Sequence, residues 1–466
     1  MHMNQERGLM DEKNEYKENG CLGTESDRFF FCSSLALAQD QDLIPQPGKP
    51  LTLDQVRAIA IKFHPSLVAT KETVLANKAL VEQALAAYYP QVNLNNSYTA
   101  FTTNFSTSPI SNPSGGAIGV PTTGPTRRWT FIDVVNTGLA ATQTIYDFGR
   151  TSNNVTINRE NVKASQEAVS ITRMTVILNV DQAYYSVLQT KRLIAVAEDT
   201  VKQTKEHLEQ AQGFYQAGTH PKIDVTNAEV ALASAELALI QARNNYLVAL
   251  VTLNIAMGLR QDLQYEIEDS LSYKPREITQ AEILKTAFEQ RPELIQFQAL
   301  ERAQVATIQL AKAGYYPILS GNASYLYRST GFDQTFYWDA FLGASMVFPL
   351  FAGFYTPAQI AQAQATLRSL KAQEENTKLN IRLQGEQAYL GLKLADEQIR
   401  VTEKAVGQAQ ENYDLATGRY QVGVGSPLEI TDAEVSLANA RANYIQALYN
   451  YKIAEAKIDN AMGLYR

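Results

Sequence analysis

The chain has 466 residues, of which 19% are charged and 45% hydrophobic, with a formal net charge of −7 and a mean hydropathy of −0.23. This length predicts two or three ordinary domains with ample core. The negative net charge gives no reason to expect the basic patch that is typical of nucleic-acid binding. No stretch approaches eighteen consecutive apolar residues, so the composition excludes a transmembrane helix and indicates a soluble, helix-rich protein.

Residues 1–38 resemble a leader. The apolar run from Phe29 to Ala38 follows Arg28 and ends in Ala36-Leu37-Ala38, a small-x-small pattern typical of the cleavage site of an export signal. Residues 1–27 carry seven acids and three bases, however, whereas the start of an export signal is basic. Two interpretations remain open, which are a signal peptide with an over-extended start and a disordered tail.

Both cysteines, Cys21 and Cys32, lie in this leader. Cys32 as a lipid acceptor is a further alternative, which the bulky Phe31 before it disfavours. Cleavage after Ala38 would leave a mature chain without cysteine, with a net charge of −4 (37 bases minus 41 acids). Residues 39–50 then form an N-terminal linker.

The rest of the chain contains one large unit twice. Residues 51–98 match 278–325 at a shift of 227, and residues 148–259 match 353–464 at a shift of 205. A period above 200 indicates duplication of a large unit rather than a solenoid. We therefore place the first structural repeat at 51–259, an equatorial linker at 260–277 and the second structural repeat at 278–464.

The sequence pattern of each repeat predicts two helices, a strand, a loop, a second strand and a long helical hairpin. We expect strands at about 90–107, 128–146, 317–329 and 337–351 and hairpins at 149–258 and 357–463. Apolar side chains alternate from Trp338 to Leu350, and residues 83–126 carry no Asp, Glu, Lys or Arg. Such strands suit an antiparallel sheet in a soluble core or a lipid-facing barrel.

The helical hairpins are unusually long. Residues 151–217 contain no proline and predict a helix of about 65 residues, roughly 100 Å, which is a rod rather than part of a globular core. The returning helix repeats apolar residues at spacings of 3 and 4, with Ala at every second position, from Val225 to Ala256 and again from Ile430 to Ala461. This seam allows close helix packing, although an ordinary antiparallel coiled coil would show it too.

These features together resemble the TolC family of outer-membrane exit ducts, over about residues 51–464. The resemblance rests on the duplication, the strand starts Tyr88-Tyr89-Pro90 and Tyr315-Tyr316-Pro317, the strand exits 145–150 and 349–353, and the turns Tyr215-Gln-Ala-Gly218 and Tyr420-Gln-Val-Gly423. It implies a mainly α fold with a β-barrel part: a trimer with a shared 12-stranded membrane barrel, a coiled-coil helical barrel and an equatorial belt. Four strands cannot close a membrane barrel alone, which also argues for oligomerisation.

The resemblance implies partners and a location. The homotrimer would lie in outer-membrane lipid, extend into the periplasm, and meet a periplasmic adaptor and an inner-membrane pump of the RND, ABC or MFS type. It would be a passive channel for efflux or type I secretion. A periplasmic coiled-coil scaffold or adaptor without a membrane barrel is the alternative, which the charge-free alternating strands disfavour.

The turns between the long helices are the candidate tip. Gly218 and Gly423 suit helix C-caps, and Pro221 and Pro427 suit the first position of the next helix. The resemblance also makes this the end where an adaptor docks and where the duct closes. The docking residues that it implies are Tyr215, Gly218, Thr219, Tyr420, Gly423, Val424, Gly425, Ser426 and Pro427.

Acidic residues after the turns are candidates for the pore. Glu429 and Asp432 are three apart and so share a helix face, where the family places a ring of acids; Asp224 corresponds to Glu429 in the first repeat. Glu429 also completes a capping-box pattern with Ser426 and could be used locally. The family's tip often has an arginine where this chain has Gly425, so a closed-state latch must differ or use Tyr420, Asp224 or Lys222.

No enzyme motif is present: the sequence lacks Gly-x-Ser-x-Gly, a P-loop, His-Glu-x-x-His and a Cys pair. His64, His207 and His220 are too few and scattered to predict a metal site, so we interpret them as surface or packing residues. The sequence predicts a non-enzymatic protein without a cofactor.

Overall fold

The computed structural model describes residues 50–103, 110–111, 117–118, 130–259, 265–330 and 337–465. The leader, residues 39–49 and 260–264 of the two linkers, and the expected strand ends at 104–107 and 128–129 lie outside these ranges. None of the described helices combines the length and apolarity needed to cross a bilayer.

The described elements make a mainly helical fold with a small antiparallel sheet, which confirms that part of the predicted fold class. In chain order they are α1 (Leu53–Phe63), α2 (Pro65–Leu85), β1 (Gln91–Thr103), β2 (Ile110–Ser111), β3 (Ala117–Ile118), β4 (Thr130–Tyr146), α3 (Arg150–Gln216), α4 (Lys222–Met257), α5 (Gln280–Gln290), α6 (Pro292–Lys312), β5 (Ile318–Thr330), β6 (Tyr337–Val347), α7 (Tyr355–Gln421) and α8 (Pro427–Ala461).

The element bounds repeat with the two shifts seen in the sequence. The helices α1 and α5 each have 11 residues and begin after Thr52 and Thr279, whose hydroxyls accept hydrogen bonds from the backbone N–H three residues later. The helices α3 and α7 each have 67 residues. Of the ten seam positions of α8, eight are buried: Ile430, Ala433, Leu437, Ala447, Tyr451, Ala454, Ile458 and Ala461.

Strands from both repeats form one antiparallel sheet in the order β1-β4-β5-β6. Its central pair joins the repeats, since Leu139 of β4 lies opposite Tyr325 of β5. Neighbouring residues in register point to the same face. One face therefore carries rows such as Leu94-Leu139-Tyr325-Ala340 and Val92-Ala141-Ala323-Leu342, and the other carries rows such as Asn93-Ala140-Ser324-Phe341 and Gln91-Thr142-Asn322-Gly343.

Two expected bounds in the second repeat are corrected. The strand expected at 337–351 ends at Val347, two residues before Pro349, whose backbone cannot donate to a ladder. The hairpin expected from 357 begins two residues earlier, at Tyr355. Pro357 then lies within the first turn of α7, where its missing N–H costs no helical hydrogen bond.

The described chain divides into two compact units. The tip unit comprises the described parts of residues 1–64, 179–273 and 402–449. Within it Leu51 and Ile267 form a parallel bridge, the Tyr184 hydroxyl donates to the Glu268 carbonyl at 2.9 Å, and Arg57 makes two 2.7 Å hydrogen bonds to the fully buried Asp181.

The sheet unit comprises the described parts of residues 65–178, 274–401 and 450–466. Arg302 donates to Glu160 at 2.7 Å, and Arg276 donates to Asp459 at 2.8 Å. These ion pairs join segments that lie more than 140 residues apart, so they hold distant parts of the sequence together within the unit.

Candidate gate at the hairpin turns

Both turns of the tip unit use the same C-terminal cap. Gly218 and Gly423 have φ of 77° and 78°, a left-handed conformation that favours glycine, which confirms them as C-caps. Thr219 N–H donates to the Phe214 carbonyl and Val424 N–H to the Arg419 carbonyl, both at 3.0 Å. This is the Schellman arrangement, and it reverses the chain within a few residues in each repeat.

The prolines after the turns differ by one position. Pro427 is the first residue of α8, as predicted. The same prediction is wrong for Pro221, which is the N-cap of α4 with φ −75° and ψ 157°, because α4 begins at Lys222. After the second turn, α8 thus begins at the proline itself, whereas after the first turn α4 begins one residue beyond the proline.

Gly425 is packed against the end of α7, which explains why a side chain is absent there. A Cβ at this position would lie 2.8 Å from the backbone N of Tyr420, and the Gly425 N–H donates to the Arg419 carbonyl at 3.0 Å. An arginine at position 425 would clash in this conformation. The backbone conformation of the turn therefore excludes the arginine that the family often has at this position.

The arginine of this turn is Arg419, on the last turn of α7. Its Nε lies 3.3 Å from the Glu429 carboxylate, with both side chains about half exposed. The Ser426 hydroxyl accepts from Leu428 N–H at 3.3 Å rather than from Glu429 N–H, so the capping-box interpretation is wrong. Glu429 instead ties the two ends of the turn together.

The three candidate pore acids lie in different environments. Asp432 is exposed, whereas Glu429 is engaged by Arg419. Asp224 is only 9% exposed, and its charge acts on Tyr420 and His207 of the same chain. Of the three, Asp432 is the carboxylate most available to a pore, and its role stays a prediction.

An aromatic cluster joins the two hairpins. The ring of Tyr420, on α7, lies 5.3 Å from His207, 5.4 Å from Phe214 and 5.6 Å from His220, measured between ring centroids. His220, just after the first turn, stacks on Phe214 at 4.8 Å. We call these four residues the clasp, because three come from the first hairpin and one from the second.

Small and branched residues pack around the clasp. Ala416, Ile430 and Ala433 are buried with Tyr420, and Phe214 and Tyr413 pack against this core. Tyr420 is fully buried, whereas its counterpart Tyr215 in the first repeat is 46% exposed. The duplicated turns are thus alike in backbone but not in packing: Tyr420 holds the hairpins together and Tyr215 faces outward.

The clasp region holds polar atoms that lack hydrogen-bond partners in the described part of the chain, including His207 Nδ1, Tyr420 OH and Glu434 Oε1. Burial raises the pKa of Tyr420, with a further contribution from the Asp224 charge. Burial also lowers the pKa of His207, against the opposing effect of Asp224, and raises the pKa of Glu434 to about 7.

The other predicted docking residues lie at the two turns. Thr219, Gly423, Val424 and Ser426 are exposed, and the Thr219 hydroxyl donates to the Phe214 carbonyl at 3.0 Å. Exposed apolar side chains, among them Val422 and Val424, flank the second turn. The turns therefore present an apolar and polar surface of the kind that protein partners contact.

Three residues of this site, Phe214, Arg419 and Glu434, were given no role in the sequence analysis, and His207 was interpreted there only as a surface or packing residue. Comparison of the repeats offers one signal, since Phe214 corresponds to Arg419 and His207 to Asn412, so these positions have diverged. Glu434 gives no such signal, because it corresponds to Glu229. Within the described residues, no cluster of three or more His, Cys, Asp or Glu could hold a metal ion.

The sheet is a second candidate surface. Large apolar side chains on its first face are exposed, including Leu94, Leu139, Trp338, Leu342 and Met346. Where the strands meet the helices, Phe148 stacks on Tyr316 at 5.2 Å and contacts Tyr146 at 4.7 Å. An apolar band next to aromatic residues is typical of a membrane-facing sheet and its interface.

Comparison with known proteins gives both family and fold matches. The sequence profile of the family described as "Outer membrane efflux protein" matches residues 57–259 and 283–464. The outer membrane protein TolC of Escherichia coli K12 is 22% identical over 346 residues, covering 71% of this chain and 70% of TolC. The cation efflux system protein CusC of the same strain is 25% identical over 351 residues, covering 70% and 72%.

Solved structures show the same fold. The outer membrane protein VceC of Vibrio cholerae superposes with a TM-score of 0.72 at 18% identity, covering 88% of this chain and 96% of VceC. At this identity the likeness shows the fold alone.

Proposed function

Because the chain belongs to the outer membrane efflux protein family, we propose that it is the exit duct of a tripartite efflux or type I secretion system. It lies in the outer membrane and extends into the periplasm, like the relatives that share its fold. The duct is passive: an inner-membrane pump of the RND, ABC or MFS type supplies the energy, and a periplasmic adaptor connects pump and duct.

The observation that carries this proposal is a sheet with an apolar exposed face and two unpaired edges. Among the described strands, β1 and β6 each pair on one side only. Unpaired backbone groups cost several kcal/mol each in a bilayer, about as much as a buried group without a partner. Three copies joined edge to edge would close twelve strands into a barrel and leave no edge.

Exposed apolar stripes on the helices support the same assembly. On α4 the side chains of Val230, Leu237 and Leu247 are more than half exposed, although they are large and apolar. On α7 the exposed residues Leu379, Leu383, Leu390, Leu394 and Val401 are spaced 4, 7, 4 and 7. This 11-residue repeat keeps the apolar side chains on one face of the helix, as expected where a partner helix is supplied by another copy.

The tip unit supplies the proposed gate and docking surface. In the closed duct, the clasp holds the second hairpin against the first through Tyr420, and the exposed Asp432 lines the opening and favours cations. The adaptor docks on the exposed turns at Thr219, Val424 and Ser426. Contacts with the adaptor that separate the hairpins would open the gate.

Membrane fractionation followed by conductance measurement tests the proposal. We expect the full chain in the outer-membrane fraction, as a detergent-stable trimer that conducts ions in planar bilayers. A soluble monomer recovered without detergent would instead support the alternative, a periplasmic scaffold or adaptor. The apolar sheet face argues against that alternative, because a scaffold without a membrane barrel would expose this face to water.

A further inference from the structure

The two β-hairpins of the sheet pair in the same register. The sequence shifts of 227 and 205 convert the pair Leu94 and Leu139 of the first hairpin into Gly321 and Ala344, which do lie opposite each other in the second. The same shifts relate every pair of the second ladder to a pair of the first. The duplication is therefore preserved in the strands residue by residue.

The junction between the two hairpins predicts the register of a further pairing. Within one chain β4 pairs with β5, and Leu139 lies opposite Tyr325. The strands equivalent to β4 and β5 are β6 and β1, and the same shifts convert this pair into Ala344 and Tyr98. Among the described strands, β6 and β1 lie at opposite edges of the four-stranded sheet and do not meet. A second copy of the chain is the partner that can bring a β1 to β6.

The position at which β6 ends depends on the strands beside it. The strand β4 continues to Tyr146, and its ladder residues beyond Thr142 pair with β5 alone. The counterpart of Tyr146 is Phe351, but β6 ends four residues earlier, at Val347, opposite the first residue of β5. Residues 348–351 therefore need a neighbouring β1 to continue the strand as far as β4 continues.

The side chains of the two edges match in this register. Phe348 would lie opposite Leu94 and Phe351 opposite Val92 of the next copy, and all four side chains are more than half exposed in the single chain. Cross-strand pairs of apolar side chains stabilise a sheet. Pro349 would lie beside the β-bulge that β4 has in the equivalent pairing, and bulges are among the positions where sheets tolerate proline.

We propose that the β6 edge of one copy pairs with the β1 edge of the next in the register of β4 and β5. Ala344 then lies opposite Tyr98 of the next copy, and residues 348–351 join the strand only when the copies assemble. This inference rests on the proposed duct, because it names the residues at which the copies of that duct join.

The competing registers are those displaced by two residues. A slip of one residue would place the apolar face of one copy beside the polar face of the next, because side chains alternate along a strand. A slip of two residues keeps both faces and places Ala344 opposite Asn96 or Ala100 instead. The equivalence of the repeats singles out Tyr98, so the experiment compares these three positions.

Cysteine pairs in the full-length protein measure the register directly. Cys21 and Cys32 are replaced by Ser, which leaves no other cysteine. The tested pair is Tyr98→Cys with Ala344→Cys, and the displaced pairs combine Ala344→Cys with Asn96→Cys or Ala100→Cys. Opposed residues have Cα atoms about 4.5–5.5 Å apart, within the range of a disulfide, whereas residues displaced by two are about 7–8 Å apart, which is beyond it.

Mild oxidation of the protein in detergent should link the tested pair between copies. On non-reducing denaturing gels we expect covalent dimers and trimers, at least about tenfold more than from the displaced pairs or from either single cysteine. The matched control is Leu139→Cys with Tyr325→Cys, the equivalent pair within one chain. Its disulfide should form inside each chain and shows that the geometry of the pairing permits the bond.

Hydrogen exchange tests the extension of β6 without any substitution. In the parent trimer, the amides of residues 348–351 should exchange within about tenfold of the rate of those of 143–146, because both segments would then belong to paired strands. Exchange of 348–351 at the rate of an unpaired loop overturns the proposal. This measurement decides the question even if a cysteine variant does not assemble.

More cross-linking from a displaced pair than from Tyr98→Cys with Ala344→Cys would overturn the register. The absence of links between copies, in a preparation where the Leu139→Cys with Tyr325→Cys control forms its disulfide, would overturn it too. A soluble, non-conducting monomer would refute the duct itself, whereas a conducting trimer linked at a displaced position refutes only the register.

Discussion

The clasp predicts that the ring of Tyr420, and not its hydroxyl, keeps the tip closed. Tyr420 is fully buried against His207, Phe214 and His220, and its hydroxyl has no hydrogen-bond partner in the described chain. Truncating a buried aromatic side chain to alanine costs about 3–5 kcal/mol. Removing a buried hydroxyl without a partner costs nearly nothing or is stabilising.

We therefore expect Tyr420→Ala to weaken hairpin packing by about 3 kcal/mol, which is roughly a hundredfold increase in the ratio of open to closed tips. Tyr420→Phe should leave that ratio within about twofold of the parent. The assay is single-channel recording in planar bilayers, scored as the fraction of time in the high-conductance state. Tyr215→Ala is the matched control, because it removes the equivalent but half-exposed ring and should act within about 0.5 kcal/mol.

The reasoning is refuted if Tyr420→Phe opens the channel as far as Tyr420→Ala. That result would mean that the hydroxyl makes the closing contact, for example with Asp224. It is also refuted if Tyr420→Ala and Tyr215→Ala have equal effects, since the asymmetry of packing between the two turns would then be irrelevant to closure.

Three further predictions concern neighbouring features. Asp432→Ala should raise single-channel conductance or lower cation selectivity, and no change in either would contradict its placement at the pore. Gly425→Arg should destabilise the second turn by about 1–3 kcal/mol, because its Cβ would meet the Tyr420 backbone at 2.8 Å; faster amide hydrogen exchange at 417–428 than in the parent would show it, and unchanged exchange would count against it. Arg57→Ala should lower the free energy of unfolding, measured by thermal denaturation, by about 3–5 kcal/mol. The reason is that it leaves the Asp181 carboxylate buried without its arginine. The exposed pair of Arg382 and Glu386 provides its control, where Arg382→Ala should cost less than about 1 kcal/mol.

Local features of the sequence were enough to predict much of the fold. The glycines at 218 and 423 were predictable as C-caps because a left-handed residue after a long helix is a local requirement. The alternation from Trp338 to Met346 predicted a strand for the same reason, as side chains on a strand alternate without reference to the rest of the chain. The end of that strand was misplaced because the alternation continues past Val347 to Leu350, beyond the last ladder pair.

The site depended on packing that the sequence does not display. Glu229 and Glu434 lie in identical triplets at equivalent positions, yet only Glu434 is buried. Its surroundings include Tyr413 of α7, which is close enough in space for the Glu434 charge to raise the pKa of that tyrosine although it is distant in the chain. For the same reason the sequence left His207 open as a surface or packing residue, because its contact with Tyr420 joins two hairpins whose pairing no periodicity encodes.

The two open edges of the sheet have a genetic consequence. If β6 of each copy joins β1 of the next, as proposed for the trimer, every copy supplies both halves of a junction, and the ring is intact only when all three copies are competent. A substitution that spoils β1 or β6 without preventing membrane insertion should therefore be dominant. With equal amounts of normal and defective chain mixing at random, only about one ring in eight would contain three normal copies. The resulting loss of export would exceed that caused by deleting half of the gene copies.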